Sequence, residues 1–221
     1  MIYFASDMHG ELTAPLLEYE RIARAGDLLI ILGDLGIKFE DTEENKRFTE
    51  LFFSLKSDIA LVDGNHENHA FINSFPREAW CGGEVHRLAP NVVHLMRGNV
   101  YLIDGKSFLA MGGCKSSPKW KKMGLYYEGE EPSEAEIALA YKNVASHQID
   151  YILTHKFENN CDSCPDMSLE GLIRSLQGID YHRWISGHWH REIKFNDKCF
   201  CVYDRLVSIE EIESGDAFVK G

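Results

Sequence analysis

Short apolar runs alternate along this chain with stretches whose apolar residues recur every three or four positions, so the period switches between that of a strand and that of a helix. Ile2 to Ala5 predicts a strand. The stretch from about Leu12 to Arg24 predicts a helix with Leu16, Leu17, Ile22 and Ala23 on one side. Leu28 to Leu32 is continuously aliphatic between Gly26 and Gly33, the pattern of a strand covered on both faces. Phe48, Leu51, Phe52 and Leu55 form one helical stripe, expected to be core, and Ile59 to Val62 is a third strand. Strands separated by helices predict βαβ units with parallel pairing and right-handed crossovers.

The middle of the chain changes character. Val92 to Leu95, Val100 to Ile103 and Phe108 to Met111 are closely spaced strands, and Asp104-Gly105 supplies the turn of a tight hairpin, so antiparallel pairing is expected. Ser133 followed by Glu136 has the form of a capping box, opening a helix that runs to about Ser146. A strand at Tyr151 to Leu153, a helix at Leu169 to Leu176 and a strand ending near Ile185 follow. Ile193 to Phe195 and Cys199 to Tyr203 form a hairpin around Asn196-Asp197, with Leu206 to Ile209 pairing nearby. With no repeat and no Pro- or Ser-rich linker, one α/β domain over residues 1–221 accounts for the pattern.

Composition narrows the class. Hydrophobic residues make up 44% of the 221, enough for a sizeable core. Asp and Glu number 35 against 23 Lys and Arg, a net charge of −12 that opposes loose binding to long nucleic acid or to acidic membranes. The longest aliphatic run, Leu28 to Leu32, is far below the roughly 20 residues that span a bilayer. The N-terminal residues lack the basic and apolar regions of a signal peptide, and six cysteines are too few for a disulfide scaffold, so a cytoplasmic protein is expected.

Metal-capable residues recur where a strand has just ended. Asp7 and His9 follow the first strand, Asp34 the second, Asn65 and His66 the third, His155 the strand at Tyr151, and His188 and His190 the strand at Ile185. In an open α/β sheet the crevice beyond the carboxyl ends of the strands is where ligands bind, so these groups should converge. Asp7-x-His9 and His188-x-His190 each place two ligands on one face of extended chain. Carboxylate, imidazole and carboxamide without thiolate suit Mn, Fe, Zn or Mg. Even with one of these eight set aside, seven such groups oversupply one octahedral ion and suit two.

Asp7-x-His9, Gly33-Asp34, Gly64-Asn65-His66-Glu67, Thr154-His155 and Gly187-His188-Trp189-His190 resemble, in order, the signature blocks of the calcineurin-like metallophosphoesterases. The resemblance spans residues 7 to 190 and implies a two-sheet β-sandwich flanked by helices that cleaves phosphate esters. It assigns Asp7, His9 and His190 to one divalent ion, Asn65, His155 and His188 to another, and Asp34 to both. The two ions would be Mn²⁺ or Fe, with Zn²⁺, Ni²⁺ or Mg²⁺ as alternatives. The implied nucleophile is a hydroxide held between them, since metal binding lowers the pKa of water from 15.7 to about 7. His66 remains as the implied general acid, a role that suits imidazole.

Departures from the family pattern narrow the branch. After Gly33-Asp34 the chain reads Leu35, Gly36, Ile37 and Lys38 in place of the Asp-Arg-Gly of the protein serine/threonine phosphatases, which argues against that branch. Gly112-Gly113-Cys114-Lys115-Ser116 and the segment Tyr126 to Glu131 resemble small bacterial and phage members. The implied substrate is a small phosphomonoester or phosphodiester. A nuclease or cyclic-nucleotide phosphodiesterase is the rival enzyme, and a non-catalytic scaffold of the same fold is the rival of another class; scaffolds tend to lose the residue that His66 keeps.

Lys115, Lys119, Lys121 and Lys122 form a basic cluster around Trp120, to be read either as a substrate loop, with Lys115 and Lys119 as the candidate contacts, or as a solvated face. Cys161-x-x-Cys164 with Cys199-x-Cys201 offers four thiols for zinc, but the second pair has the wrong spacing and fits a strand. Glu67 is read either as assisting His66 or, in preference, as an exposed or capping residue. His69, His86, His94, His147 and His182 are expected at the surface or in packing.

Overall fold

The aliphatic runs form the centre of two stacked sheets in the computed structural model, which describes residues 1–123, 126–157, 168–215 and 218. The first half contains β1 (Ile2–Ala5), α1 (Ala14–Ile22), β2 (Leu28–Leu32), α2 (Glu43–Ser54), β3 (Ile59–Val62), α3 (His69–Asn73), β4 (Arg77–Trp80), β5 (Gly83–Ala89) and β6 (Val92–Leu95). The second contains β7 (Val100–Ile103), β8 (Lys106–Met111), α4 (Pro118–Lys122), α5 (Glu134–Ser146), β9 (Tyr151–Thr154), α6 (Leu169–Leu176), β10 (Arg183–Ser186), β11 (Ile193–Lys194), β12 (Cys199–Cys201), β13 (Val207–Ser208) and α7 (Ile209–Ser214).

A seven-stranded sheet runs β13-β1-β2-β3-β6-β5-β4, and a six-stranded sheet runs β11-β12-β10-β9-β8-β7. The pairs β1–β2, β2–β3 and β3–β6 are parallel, as are β8–β9, β9–β10 and β10–β12. Each sheet therefore sends several carboxyl ends to the same edge of the sandwich.

Strand alternation divides the core into layers. Phe4, Ile30, Leu32 and Val62 meet Phe108, Ala110, Leu153, Ile185 and Phe200 between the sheets. Leu29, Ile31 and Leu61 face outward onto Leu16 and Tyr19 of α1 and Phe48 and Phe52 of α2. Leu109, Met111, Ile152 and Trp184 face outward onto Ile137 and Ala140 of α5 and Leu172, Ile173 and Leu176 of α6. This helix–sheet–sheet–helix stack is the expected architecture. No helix among the described residues is long and apolar enough to cross a membrane.

Several local expectations shift. Pro15 in the first turn starts α1 at Ala14, and its inward face is Leu16 and Tyr19, leaving Leu17 outside. In α2, Phe48 and Phe52 pack inward while Leu51 is 40% exposed, because one residue's rotation of about 100° carries it off the stripe. Val92–Leu95 lies in the seven-stranded sheet, apart from the β7–β8 hairpin. Val207–Ser208 pairs with β1 instead of lying beside the β11–β12 hairpin. The strands β4 and β5 escape the apolar pattern because Arg77, Glu78, Ala79 and Glu84 face solvent on an edge hairpin.

Ile185 is fully buried between the sheets, whereas Leu102 is 62% exposed on an outer strand. Ile185→Ala should lower unfolding stability by roughly 2–5 kcal/mol in urea titration, and Leu102→Ala should stay within about 0.5 kcal/mol of wild type. Equal costs would mean that the inter-sheet layer is not the core.

Candidate metal centre

Each proposed site residue sits one to four residues beyond a strand: Asp7 and His9 after β1, Asp34 after β2, Asn65 and His66 after β3, His155 after β9, and His188 and His190 after β10. The chain must turn sharply at these tips to aim short side chains at one point. Asp7, His9, Asp34, His188 and His190 accordingly have positive φ, from 49° to 73°, a conformation that costs non-glycine residues and concentrates at functional sites. Neighbouring glycines give the room. A Cβ on Gly64 would run into Asp34, and one on Gly187 would overlap the Ser6 hydroxyl and crowd Asp7.

The side chains meet in three clusters: Asp7 with His9 and His190, His9 with Asp34 and His66, and Asp34 with His155 and His188. His9 Nε2 and His190 Nε2 stand 2.9 Å apart, and Asp7 Oδ1 is 3.4 Å from His190 Nε2 and 3.8 Å from His9 Nε2. On the other side, His188 Nδ1 is 3.2 Å from His155 Nε2, which is 3.3 Å from Asp34 Oδ1. Asp34 Oδ2 points the opposite way, 3.9 Å from His9 Nε2. One carboxylate thus faces both ligand sets.

Asn65 donates through Nδ2 to Ser116 Oγ at 3.3 Å, and its Oδ1, like Asp7 Oδ1, is buried without a hydrogen-bond partner. Buried polar atoms normally find partners. Two orphaned oxygens among imidazole nitrogens crowded without apolar separation are the donor set a cation would complete, so these residues fit a divalent metal. His155 Nδ1 faces the carbonyl of Leu32 at 2.8 Å, and a proton on Nδ1 would leave Nε2 free as a ligand. Ser6 donates to Asp7 Oδ2, which also accepts from His188 N at 3.0 Å.

His66 donates its backbone N–H to Asp34 Oδ1 at 2.8 Å. Its ring lies among His9, Phe39 and Trp120, with centroids 5.0, 4.8 and 5.8 Å away, and it is close enough to His9 and Asp34 to count as a further ligand group. The centre opens into a cleft of about 1010 Å³ walled by Ser116, Pro118 and Trp120. Lys115, Lys121, Lys122 and Lys156 line it, but Lys119 does not; its ammonium lies over the Trp120 ring at 5.5 Å. Lys115 and Lys121 are paired with Glu131, and Lys121 also with Glu130. The basic segment is a short helix, α4, where a plain loop is the simpler expectation from sequence.

Charge explains the second layer. Burial raises the Asp34 carboxyl, yet the facing His155, with His66 and His9, outweighs it and holds the group below the usual carboxylate range. Burial likewise opposes protonation of His155, but Asp34 and Asp7 overcome it and lift that imidazole to about 10. His188 moves the other way, down to about 3, through burial and the nearby positive His155.

Glu67 corrects the sequence reading. It is fully buried, and its two oxygens accept from Leu35 N at 2.6 Å and Gly64 N at 2.8 Å, tying the Asp34 tip to the Asn65 tip. Burial and the neighbouring Asp34 push its carboxyl above the ordinary range. Its position three residues after Gly64 resembles a local cap, but the long-range bond to Leu35 leaves no trace in sequence. Asp63 was also missed. Buried beside Gly64, it accepts from Arg97 Nε at 2.9 Å, with His94 Nε2 at 3.0 Å and His69 Nδ1 at 3.6 Å. A charged residue directly after the aliphatic Ile59–Val62 was its only signal. Cys199 and Cys201 are buried strand residues of β12, whereas Cys161 and Cys164 lie outside the described residues.

A family model described as calcineurin-like phosphoesterase matches residues 1–192. Comparison with curated proteins finds no match.

His155 carries a proton at neutral pH in the metal-free protein and must lose it to offer Nε2 to a cation. Its pKa is raised, so the protonated pair with Asp34 persists at low pH and is lost as pH climbs through about 10. Mn²⁺ binding should therefore release protons at pH 8 and tighten as pH rises from about 7 to 9. Titration calorimetry in buffers of different ionisation enthalpy reads this directly; buffer-independent heats would contradict it.

Proposed function

Because the chain belongs to the calcineurin-like phosphoesterases, we propose that it is a hydrolase of a small phosphate ester, mono- or diester, working in the cytoplasm with two divalent ions, Mn²⁺ or Fe in preference to Zn²⁺, Ni²⁺ or Mg²⁺. The observation that carries this reading is the meeting of three Asp/His clusters in one cleft, with Asp34 common to two of them on opposite sides.

Asp7, His9 and His190 would hold one ion, and Asn65, His155 and His188 the other, with Asp34 between. When bound, such a pair supplies an acidified water as nucleophile and positive charge for the phosphoryl oxygens. The chain's own groups do the rest. Gly64 and Gly187 let the ligand tips approach closely, Ser6 and the His188 N–H orient Asp7, and the His66 N–H fixes one oxygen of Asp34. The His66 ring, held between Phe39 and Trp120, would give a proton to the departing oxygen. Lys115 and Lys122, on the cleft wall, favour an anionic substrate, and the modest size of the basic cluster in an acidic chain favours a small ester over long nucleic acid.

Asp34→Asn should reduce hydrolysis of a chromogenic phosphate ester with Mn²⁺ by about 10³-fold or more, comparable to losing a major electrostatic element of an active site. His66→Ala should cost about 10²–10⁴-fold and lose less on esters whose alcohol leaves readily. Steady-state rates on aryl esters of graded leaving-group acidity check both, and wild-type turnover by Asp34→Asn would overturn the reading.

A further inference from the structure

A second hollow of about 370 Å³ adjoins the metal cleft. His9, His66 and Trp120 line both spaces, whereas Asp34, Asn65, His188 and the cleft lysines line only the larger one. The hollow therefore shares the His66 ring with the cleft and none of the cleft's lysines. Its chemistry is the reverse of the cleft's. Glu11, Glu40 and Glu44 line it together with Phe39, and among the described residues no Lys or Arg does.

Asn45 adds a second, independent feature. Only 8% exposed, it lines the hollow, donates through Nδ2 to the carbonyl of Gly36 at 2.7 Å, and keeps its Oδ1 buried without a hydrogen-bond partner. Three carboxylates and an orphaned carbonyl oxygen are all acceptors. Such a space favours donors and positive charge and repels anions.

We propose that this hollow receives the leaving group, and that the substrate is a phosphomonoester of an alcohol that bears an ammonium or is neutral and rich in hydroxyl or amide donors, its body resting against Phe39 and Trp120. This rests on the reading of His66 as the acid. A group that protonates the departing oxygen must touch it, so whatever is attached to that oxygen extends to the His66 side. The reaction balances as ordinary hydrolysis: the water oxygen bonds to phosphorus, the bond from phosphorus to the alcohol oxygen breaks, that oxygen takes a proton from His66, and His66 recovers the proton that the water gives up. Free alcohol and inorganic phosphate leave. Leaving groups that are themselves phosphates, as in a pyrophosphate bond, or that continue as a polynucleotide are disfavoured by the same three carboxylates.

The test uses three aryl phosphates with a para trimethylammonium, carboxamide or carboxylate group, assayed with Mn²⁺ at low ionic strength on the wild type and on the triple variant Glu11→Gln/Glu40→Gln/Glu44→Gln. The triple variant's Mn²⁺ binding is measured in parallel to show that it is folded. Wild-type kcat/KM should fall in the order trimethylammonium, carboxamide, carboxylate, with about tenfold between the ends, and the span should narrow in high salt. The variant's ratio of cationic to anionic ester should fall severalfold below the wild type's, toward the value that leaving-group acidity alone sets. An identical ratio in both proteins, or a wild-type preference for the carboxylate, would overturn the assignment of the hollow while leaving the hydrolase reading intact. Turnover of none of the three would overturn the hydrolase reading and the assignment with it.

Discussion

Asp34 stands where the two halves of the ligand set meet, and much of the surrounding structure exists to keep its charge there. One oxygen faces His155 from the six-stranded sheet and the other faces His9 from the seven-stranded sheet. A buried carboxylate is costly unless neighbours compensate it. Here compensation comes from the imidazoles, from the His66 N–H, and from a backbone that leaves no space for a side chain at Gly64. The positive φ angles at five ligand positions are a local cost borne by the well-packed layers beneath them.

Behind this first ring lies a second set of buried charges that holds the loops together. Glu67 fastens the Asp34 tip to the Asn65 tip through two backbone N–H groups. Asp63 ties β3 to Arg97, and Arg97 donates onward to the carbonyl of Gly129 at 2.8 Å. Glu130, the next residue, accepts from Ser116 N at 3.1 Å, and Ser116 in turn accepts from Asn65. A continuous polar chain therefore connects a metal-ligand tip to the segment that carries Lys115 and Trp120. The Ser116 segment and the Asn65 tip are thus tied together by hydrogen bonds through groups outside the candidate ligand set.

How much of this was legible in the sequence follows from the range of the interactions involved. Aliphatic runs such as Leu28–Leu32 and Ile59–Val62 announce strands because burial on both faces demands apolar residues at every position. The capping box of Ser133 and Glu136 is local and appears in the structure as read. The convergence of the candidate ligand positions was readable because each follows a strand and carries chemistry that a plain turn does not require. Glu67 and Asp63 were not, since their partners Leu35 and Arg97 are 32 and 34 positions away. Leu51 and Leu17 were misplaced for the opposite reason: helical spacing names a stripe but not its exact rotation. The division of the cleft into a basic and an acidic side is purely spatial, because Glu11, Phe39 and Glu44 come together only once the tips after β1 and β2 are folded side by side.

The net charge of −12 also takes on a location. Glu11, Glu40 and Glu44 line the hollow beside His66, whereas lysines line the neighbouring cleft, so an acidic chain presents a basic wall to its candidate metal centre. The proposed chemistry requires two cations in this ring of candidate ligands. Equilibrium dialysis against Mn²⁺ with elemental analysis tests that claim most directly, on the wild type and on His190→Ala. Two ions per chain are expected in the wild type and one in the variant; a single ion in the wild type, or two retained without His190, would rule the two-metal centre out.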